Sequence, residues 1–134
     1  MGAGIIIIKY KNDTPLFLGL LAKYKQIQKH GGQYDLPKGT PEKGESAWQT
    51  AQRECYEETG YAVEEPELVA GPLSANGLTM WMSVVSGDVK IVLPMNPESG
   101  KYEHEGYDWL EYEQIRNDCF DYLRPFIDWA YKIL

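Results

Sequence analysis

The chain has 134 residues, 43% of them apolar, with 13 basic against 20 acidic side chains and a formal charge of -7. That length and apolar share suit one domain, residues 1–134, with a real core, and exclude a disordered tail or a fibrous sequence. The acidic balance argues against a broad grip on duplex nucleic acid, where many Lys and Arg contacts to phosphate supply the affinity; a small polyphosphate met through metal ions stays open.

In chain order, Ile5 to Lys9 is a β-branched run ended by the turn signal Lys11-Asn12-Asp13-Thr14-Pro15. Leu16 to Leu21 reads as its hairpin partner, with Leu16, Leu18 and Leu20 on one side. Lys23 to Gly32 is polar and reads as a surface loop, either over a ligand edge or simply solvated. Tyr34-Asp35-Leu36 is a short strand that Pro37 halts, because proline removes a ladder donor. A loop rich in turn formers runs from Lys38 to Glu45.

A helix is predicted from Ser46, which has Gln49 three residues on in a capping-box pattern, to Gly60, a usual left-handed stop. Ala47, Ala51 and Cys55 recur every four residues beside Trp48 and supply its core stripe. Residues three and four apart share a helix face, so Glu54, Glu57 and Glu58 point the same way and repel one another. A cation on that face would offset the repulsion, and oxygen-only ligands suit Mg2+ or Mn2+.

Downstream, Leu68-Val69-Ala70 is a short extended piece closed by Gly71-Pro72. Leu78 to Val85 reads as a strand turned by Ser86-Gly87-Asp88 into Val89 to Leu93, a hairpin. Pro94 to Gly100 is a loop and Tyr107-Asp108-Trp109-Leu110 a short strand. Glu111 to Ile115 starts a helical turn, and Asp121 to Leu134 is an amphipathic helix with Leu123, Ile127, Ala130 and Leu134 on its apolar side. Strands interspersed with helices predict an α/β class, an α/β/α sandwich around a mixed sheet. No signal-peptide pattern or run long enough to span a bilayer is read, and Cys55 and Cys119 read as core fillers. A reduced, cytoplasmic protein is expected, with no membrane partner and either a monomeric or a homodimeric state.

The stretch Gly39 to Tyr61 resembles the signature of the Nudix hydrolases: Gly39, Glu45, Arg53, Glu54, Glu57, Glu58 and Gly60 meet its seven fixed positions. At about 5–8% per residue type, such a match arises by chance roughly once in 10^8 to 10^9 windows. The resemblance implies the Nudix sandwich fold and metal-dependent cleavage of a phosphoric anhydride, with Mg2+ as cofactor and Mn2+ as its substitute. It makes Glu54, Glu57 and Glu58 metal ligands, with the Lys38 carbonyl as a further oxygen. Arg53 becomes the side chain that orients the glutamates, and Glu45 its partner at the loop-to-helix junction.

Glu103-His104-Glu105-Gly106-Tyr107-Asp108-Trp109-Leu110 is similar to a segment of the hydrolases of diadenosine polyphosphates, and so is the lead-in Leu36-Pro37-Lys38-Gly39. On that likeness Glu103 is an extra metal ligand or base, with His104 and then Glu105 as rivals; Glu54 and Glu57 are the other candidate bases. Lys38 is placed to meet a phosphate as a point charge, Lys23 or Lys25 either meets one further along the substrate or is simply a surface lysine, and Tyr34, Trp81, Tyr107 and Tyr102 can stack on a base or serve as sheet-face aromatics. The expected substrate is a small-molecule nucleotide, diadenosine tetraphosphate cut to ATP and AMP. The alternatives are the 5' end of RNA, ADP-ribose or a nucleoside triphosphate. A non-catalytic Nudix-fold binding module is the rival class, and the intact set of box glutamates and arginine counts against it.

Overall fold

Ile5, Ile6, Ile7 and Ile8 are all fully buried, and this places their strand at the centre of a sheet covered on both faces. The structure is a computed structural model that describes residues 2–86 and 88–134. Strand β1 (Gly2–Lys11) turns through Asn12 and Asp13, both at positive φ, into antiparallel β2 (Thr14–Leu21). Helix α1 (Tyr24–His30) and the two-residue strands β3 (Tyr34–Asp35) and β4 (Lys38–Gly39) follow. Next come α2 (Ala47–Thr59), β5 (Leu68–Ala75), β6 (Leu78–Val84), β7 (Gly106–Leu110), α3 (Tyr112–Asp118) and α4 (Arg124–Ile133).

The sheet is mixed. β1 runs parallel to β6 and antiparallel to β2 and β4; β2 also pairs with β3 and β7, and β5 pairs with β6. Alternate residues of β1 serve two cores. Ile6 and Ile8 join Phe17, Ile115, Phe126, Ile127 and Ala130 beneath α3 and α4, whereas Ile5 and Ile7 join Leu18, Leu20, Ala51 and Cys55 beneath α2. Each such side chain contributes about 1.5–3 kcal/mol by leaving water. The predicted α/β/α sandwich around a mixed sheet is the fold observed.

Four expectations need correction. The polar stretch Lys23–Gly32 holds α1 instead of being loop throughout; it is a marginal seven-residue helix with no buried side chain, closed by left-handed Gly31. Leu68–Ala70 is the start of a full strand, because β5 continues past Gly71-Pro72 with register shifts that an edge position tolerates. Its partner is β6, joined through Asn76 and Gly77, both at positive φ as a type I′ hairpin turn requires. Val89–Leu93 is therefore no hairpin strand, although Ile91 is buried and the Val92 amide donates to the Thr59 carbonyl; Gly87 of the expected turn lies outside the described residues. Lastly, the final helix begins at Arg124, after a 3-10 turn over Asp121–Leu123.

Helix α2 matches expectation in detail. The Ser46 hydroxyl accepts from the Gln49 amide at 3.1 Å, the Gln49 side chain accepts from the Ser46 amide at 2.9 Å, and left-handed Gly60 ends the helix. Ala51 and Cys55 are fully buried and Trp48 is half-buried, but Ala47 is exposed and drops out of the core stripe. Among the described residues, no helix is long and apolar enough to cross a membrane.

Candidate active site

The last two turns of α2 carry the carboxylates toward the strand ends on its own sheet face. Arg53 is their hub. Its Nε donates to Glu45 at 2.7 Å, and its terminal nitrogens donate to Glu45 at 3.0 Å, Glu54 at 2.8 Å, Glu57 at 3.1 Å and the Thr40 carbonyl at 2.9 Å. The fork geometry of guanidinium suits this multiple engagement. The Arg53 hydrogen bond holds the Glu45 carboxyl down at about 2, with help from the Glu42 amide and the Thr50 hydroxyl. Its bonds to Glu45, and then to Glu54, push the Arg53 guanidinium still further toward the charged form.

Gly39 stands directly against the Glu54 carboxyl. A Cβ there would overlap the Glu54 carboxyl, so the missing side chain is the space in which that carboxylate lies against β4.

Glu58 lies one turn beyond Glu54 and is 4% exposed, and neither of its carboxylate oxygens has a hydrogen-bond partner among the described residues. Burial first, then a hydrogen bond that the protonated acid makes to Glu54, then the charges of Glu103, Asp35 and Glu54, push its carboxyl up to about 11; it is the ionised form that lacks a partner. Ligand atoms of Glu58, Glu103 and His104 all lie within 4.8 Å of one another. His104 is 6% exposed; its Nε2 is 3.4 Å from Asp35 and 4.0 Å from Glu58. Asp35 also holds the Lys38 ammonium at 3.1 Å. Burial alone would raise the Asp35 carboxyl, but the His104 and Lys38 contacts more than offset it and hold it below the usual range.

The predicted residues thus fall into groups. Glu58 and Glu103 bring carboxylate oxygens within 4.8 Å of each other, and Glu57 joins them in lining a small crevice with His104, Leu93 and Pro94. Glu54 and Glu57 are also tied to Arg53. The Lys38 side chain is committed to Asp35 and lies 5.4 Å from the Tyr122 ring centroid. Tyr34 packs against the α3–α4 core and its hydroxyl donates to Asp108 at 2.6 Å. Trp81 packs edge-on to Trp48 at 5.1 Å between centroids. Tyr107 is 40% exposed and stands opposite Leu20, on the α2 face but across β2 from Asp35, two strands away. Lys23 lines an adjoining cavity that shares His104 and Leu93 with the crevice.

Sequence reasoning missed Asp35. Its signal was the alternation Tyr34-Asp35-Leu36, which sends an acid to the face opposite two core residues. It ranked His104 behind Glu103, whereas the structure brings both to Glu58.

A buried carboxylate with no partner is costly unless a positive charge meets it. Two carboxylates beside a third and an imidazole form a donor set that fits a divalent cation, with Glu58 and Glu103 as its oxygens and His104 available as a nitrogen. A capped helix rich in glutamate lies against a mixed sheet with such a cluster at its end, the arrangement of an α/β domain able to hold a divalent cation. The chain belongs to the Nudix hydrolase family: the family's NUDIX domain model matches residues 2–130. Over 70 residues, 52% of this chain, it is 36% identical to an uncharacterized 17.7 kDa protein in the e-segB intergenic region of enterobacteria phage T4. The match covers 45% of that phage protein, so the chain spans about half the length of this curated relative.

Solved structures share the fold, among them two with bound or named nucleotide ligands. A C. elegans Ap4A hydrolase binary complex superposes with a TM-score of 0.72 at 22% identity, over 98% of this chain and 94% of that one. The NUDIX domain of Shewanella oneidensis NrtR complexed with ADP ribose does so with a TM-score of 0.65 at 15% identity, over 98% and 85%.

Proposed function

We propose that the protein hydrolyses a phosphoric anhydride bond in a nucleoside diphosphate-X substrate, with diadenosine tetraphosphate cut to ATP and AMP as the preferred case. Mg2+ is the proposed resident ion, with Mn2+ as its substitute. The observation that carries this reading is Glu58 on the helix that bears the Nudix signature: a buried carboxyl whose ionised form has no partner among the described residues, set close to Glu54, Glu103 and His104. When bound, the ion would neutralise charge gathering on the phosphate oxygens and favour ionisation of the attacking water.

The chain's own residues do the rest. Glu58 and Glu103 hold the ion, with Glu54, Glu57 and the Lys38 carbonyl as further oxygens. Arg53 fixes the directions of Glu54 and Glu57, and Glu45 fixes Arg53. Glu54, Glu57 and Glu103 are the groups able to take the proton from water. The free, buried thiols Cys55 and Cys119 suit a reducing compartment, in keeping with a cytoplasmic nucleotide enzyme.

The dinucleoside substrate is supported by the Leu36–Gly39 lead-in, the Glu103–Leu110 segment and the likeness to the C. elegans Ap4A hydrolase. Likeness to the ADP-ribose complex of NrtR favours ADP-ribose as a second reading. Purified protein with Mg2+ should be given diadenosine tetraphosphate, ADP-ribose, nucleoside triphosphates and 5'-triphosphorylated RNA, with products resolved by ion exchange. ATP plus AMP formed fastest from the first substrate is the expected result. Glu57→Gln should lower that turnover at least about a hundredfold with unchanged circular dichroism. Faster cleavage of ADP-ribose or RNA overturns the substrate, and no cleavage of any anhydride overturns the enzyme.

A further inference from the structure

Beside the carboxylate cluster lies a cavity of about 390 Å3, lined by Lys23, Leu93, Lys101, Tyr102, His104 and Glu105. That volume is in the range of small-molecule pockets. His104 belongs both to this lining and to the metal-ligand cluster, so the cavity continues outward from the proposed reaction centre.

The chemistry of its rim runs against that of the whole chain. In a molecule of net charge -7, two lysines face one opening from different segments: Lys23 from the start of α1 and Lys101 from the loop before β7. Among the described residues, neither makes an ion pair, unlike Lys38, which Asp35 holds. Glu105 is the one acid of the lining, and its charge opposes one of the two ammonium groups. The two segments are tied near the cavity, where the Glu105 amide donates to the Leu21 carbonyl at 2.8 Å, four residues after Lys101 and two before Lys23. Tyr102 adds an aromatic ring, 47% exposed and able to stack on a base, while Leu93 gives an apolar wall.

From this juxtaposition we infer that the cavity is a second phosphate subsite. Lys23 and Lys101 there hold the part of an oligophosphate chain lying beyond the scissile anhydride, and Tyr102 covers the attached base. The inference rests on the proposed hydrolase reading and deepens it. It makes chain length the feature selected: a substrate with three or more consecutive phosphates reaches both lysines, and a two-phosphate substrate such as ADP-ribose does not. Lys101 is thereby a specificity residue that the signature does not contain.

The test is the double substitution Lys23→Gln with Lys101→Gln, compared with wild type and with Lys23→Arg/Lys101→Arg. The expected result is a KM for diadenosine tetraphosphate raised about tenfold, as fits the loss of charge-assisted contacts, with kcat changed far less. The loss in kcat/KM should be at least about fivefold larger for this substrate than for ADP-ribose, and the arginine pair should recover most of it. Nucleoside triphosphates and 5'-triphosphorylated RNA, run alongside, distinguish the sources of the oligophosphate. Equal losses on long and short substrates, or no loss on the tetraphosphate, overturn the inference.

A binding arm keeps the subsite distinct from the hydrolase reading. Calorimetric affinity of the Mg2+-loaded protein for inorganic tripolyphosphate should fall about tenfold in the glutamine variant, and affinity for pyrophosphate much less. Equal affinities in both proteins overturn the subsite even if wild type cleaves every substrate. A fall confined to tripolyphosphate supports it even if wild type cleaves none.

Discussion

Arg53 and Glu45 illustrate how single side chains set the charge of the site. Glu45 accepts two bonds from one guanidinium and further bonds from the Glu42 amide and the Thr50 hydroxyl, and these favour its ionised form. Its carboxyl titrates at about 2 in the folded chain against an ordinary 4.5, so the folded state binds the proton less tightly than the unfolded state does. The stabilisation is present above pH 4.5 and is lost as the pH falls from there through 2. Glu45→Gln should therefore unfold at lower urea than wild type at pH 7, with the gap closing as pH is lowered toward 2. A gap of constant size across that range would mean the residue acts by packing alone. A second consequence is kinetic: loosening Arg53 frees Glu54 and Glu57 to turn, so turnover should suffer more than substrate affinity.

At the level of elements, Asp35 fastens pieces too short to hold themselves. β3 and β4 have two residues each, and Pro37 interrupts them. Asp35 joins them through Lys38 and reaches His104 in the segment ahead of β7. Replacing it by Asn leaves the Lys38 ammonium without its countercharge. Stability should drop by about 1.5–3 kcal/mol, the worth of hydrogen bonds to charged groups. Amide exchange should quicken around Leu36–Gly39 and His104 while α4 is unaffected, whereas a uniform acceleration would place the effect in the core instead.

The same scale shows what the sequence makes legible. α2 was readable because its cap, stripe and stop are local, and the box glutamates came with it. The strand β6 is legible from Leu78 on, but the length of β5 and its pairing with β6 are not, because the Gly71-Pro72 pair looks like an end and hides the Asn76-Gly77 hairpin turn. Asp35 and His104 were not legible as partners, since 69 residues separate them and only the pairing of both β3 and β7 with β2 brings them together.

Across the whole molecule, the buried charge of Glu58 couples the site to global stability. Without a cation the carboxyl is kept protonated at neutral pH by its surroundings, so the fold need not carry an unpaired buried charge. A cation that binds only the folded chain stabilises it by about 2.7 kcal/mol at a hundredfold excess over Kd. For a chain of this length that is roughly 10 °C in Tm. Calorimetry of chelator-treated protein titrated with Mg2+ or Mn2+ should show such a rise, ending where the ion saturates. Glu58→Gln exchanges a neutral acid for a neutral amide of the same shape, so its metal-free Tm should stay within about 2–3 °C of wild type. Its response to the ion should be lost. If that variant still gains the full increment, the ion is held by Glu54 and Glu57 without Glu58, and the orphaned carboxylate has some other purpose; if wild type gains nothing, the acidic cluster holds no ion at all.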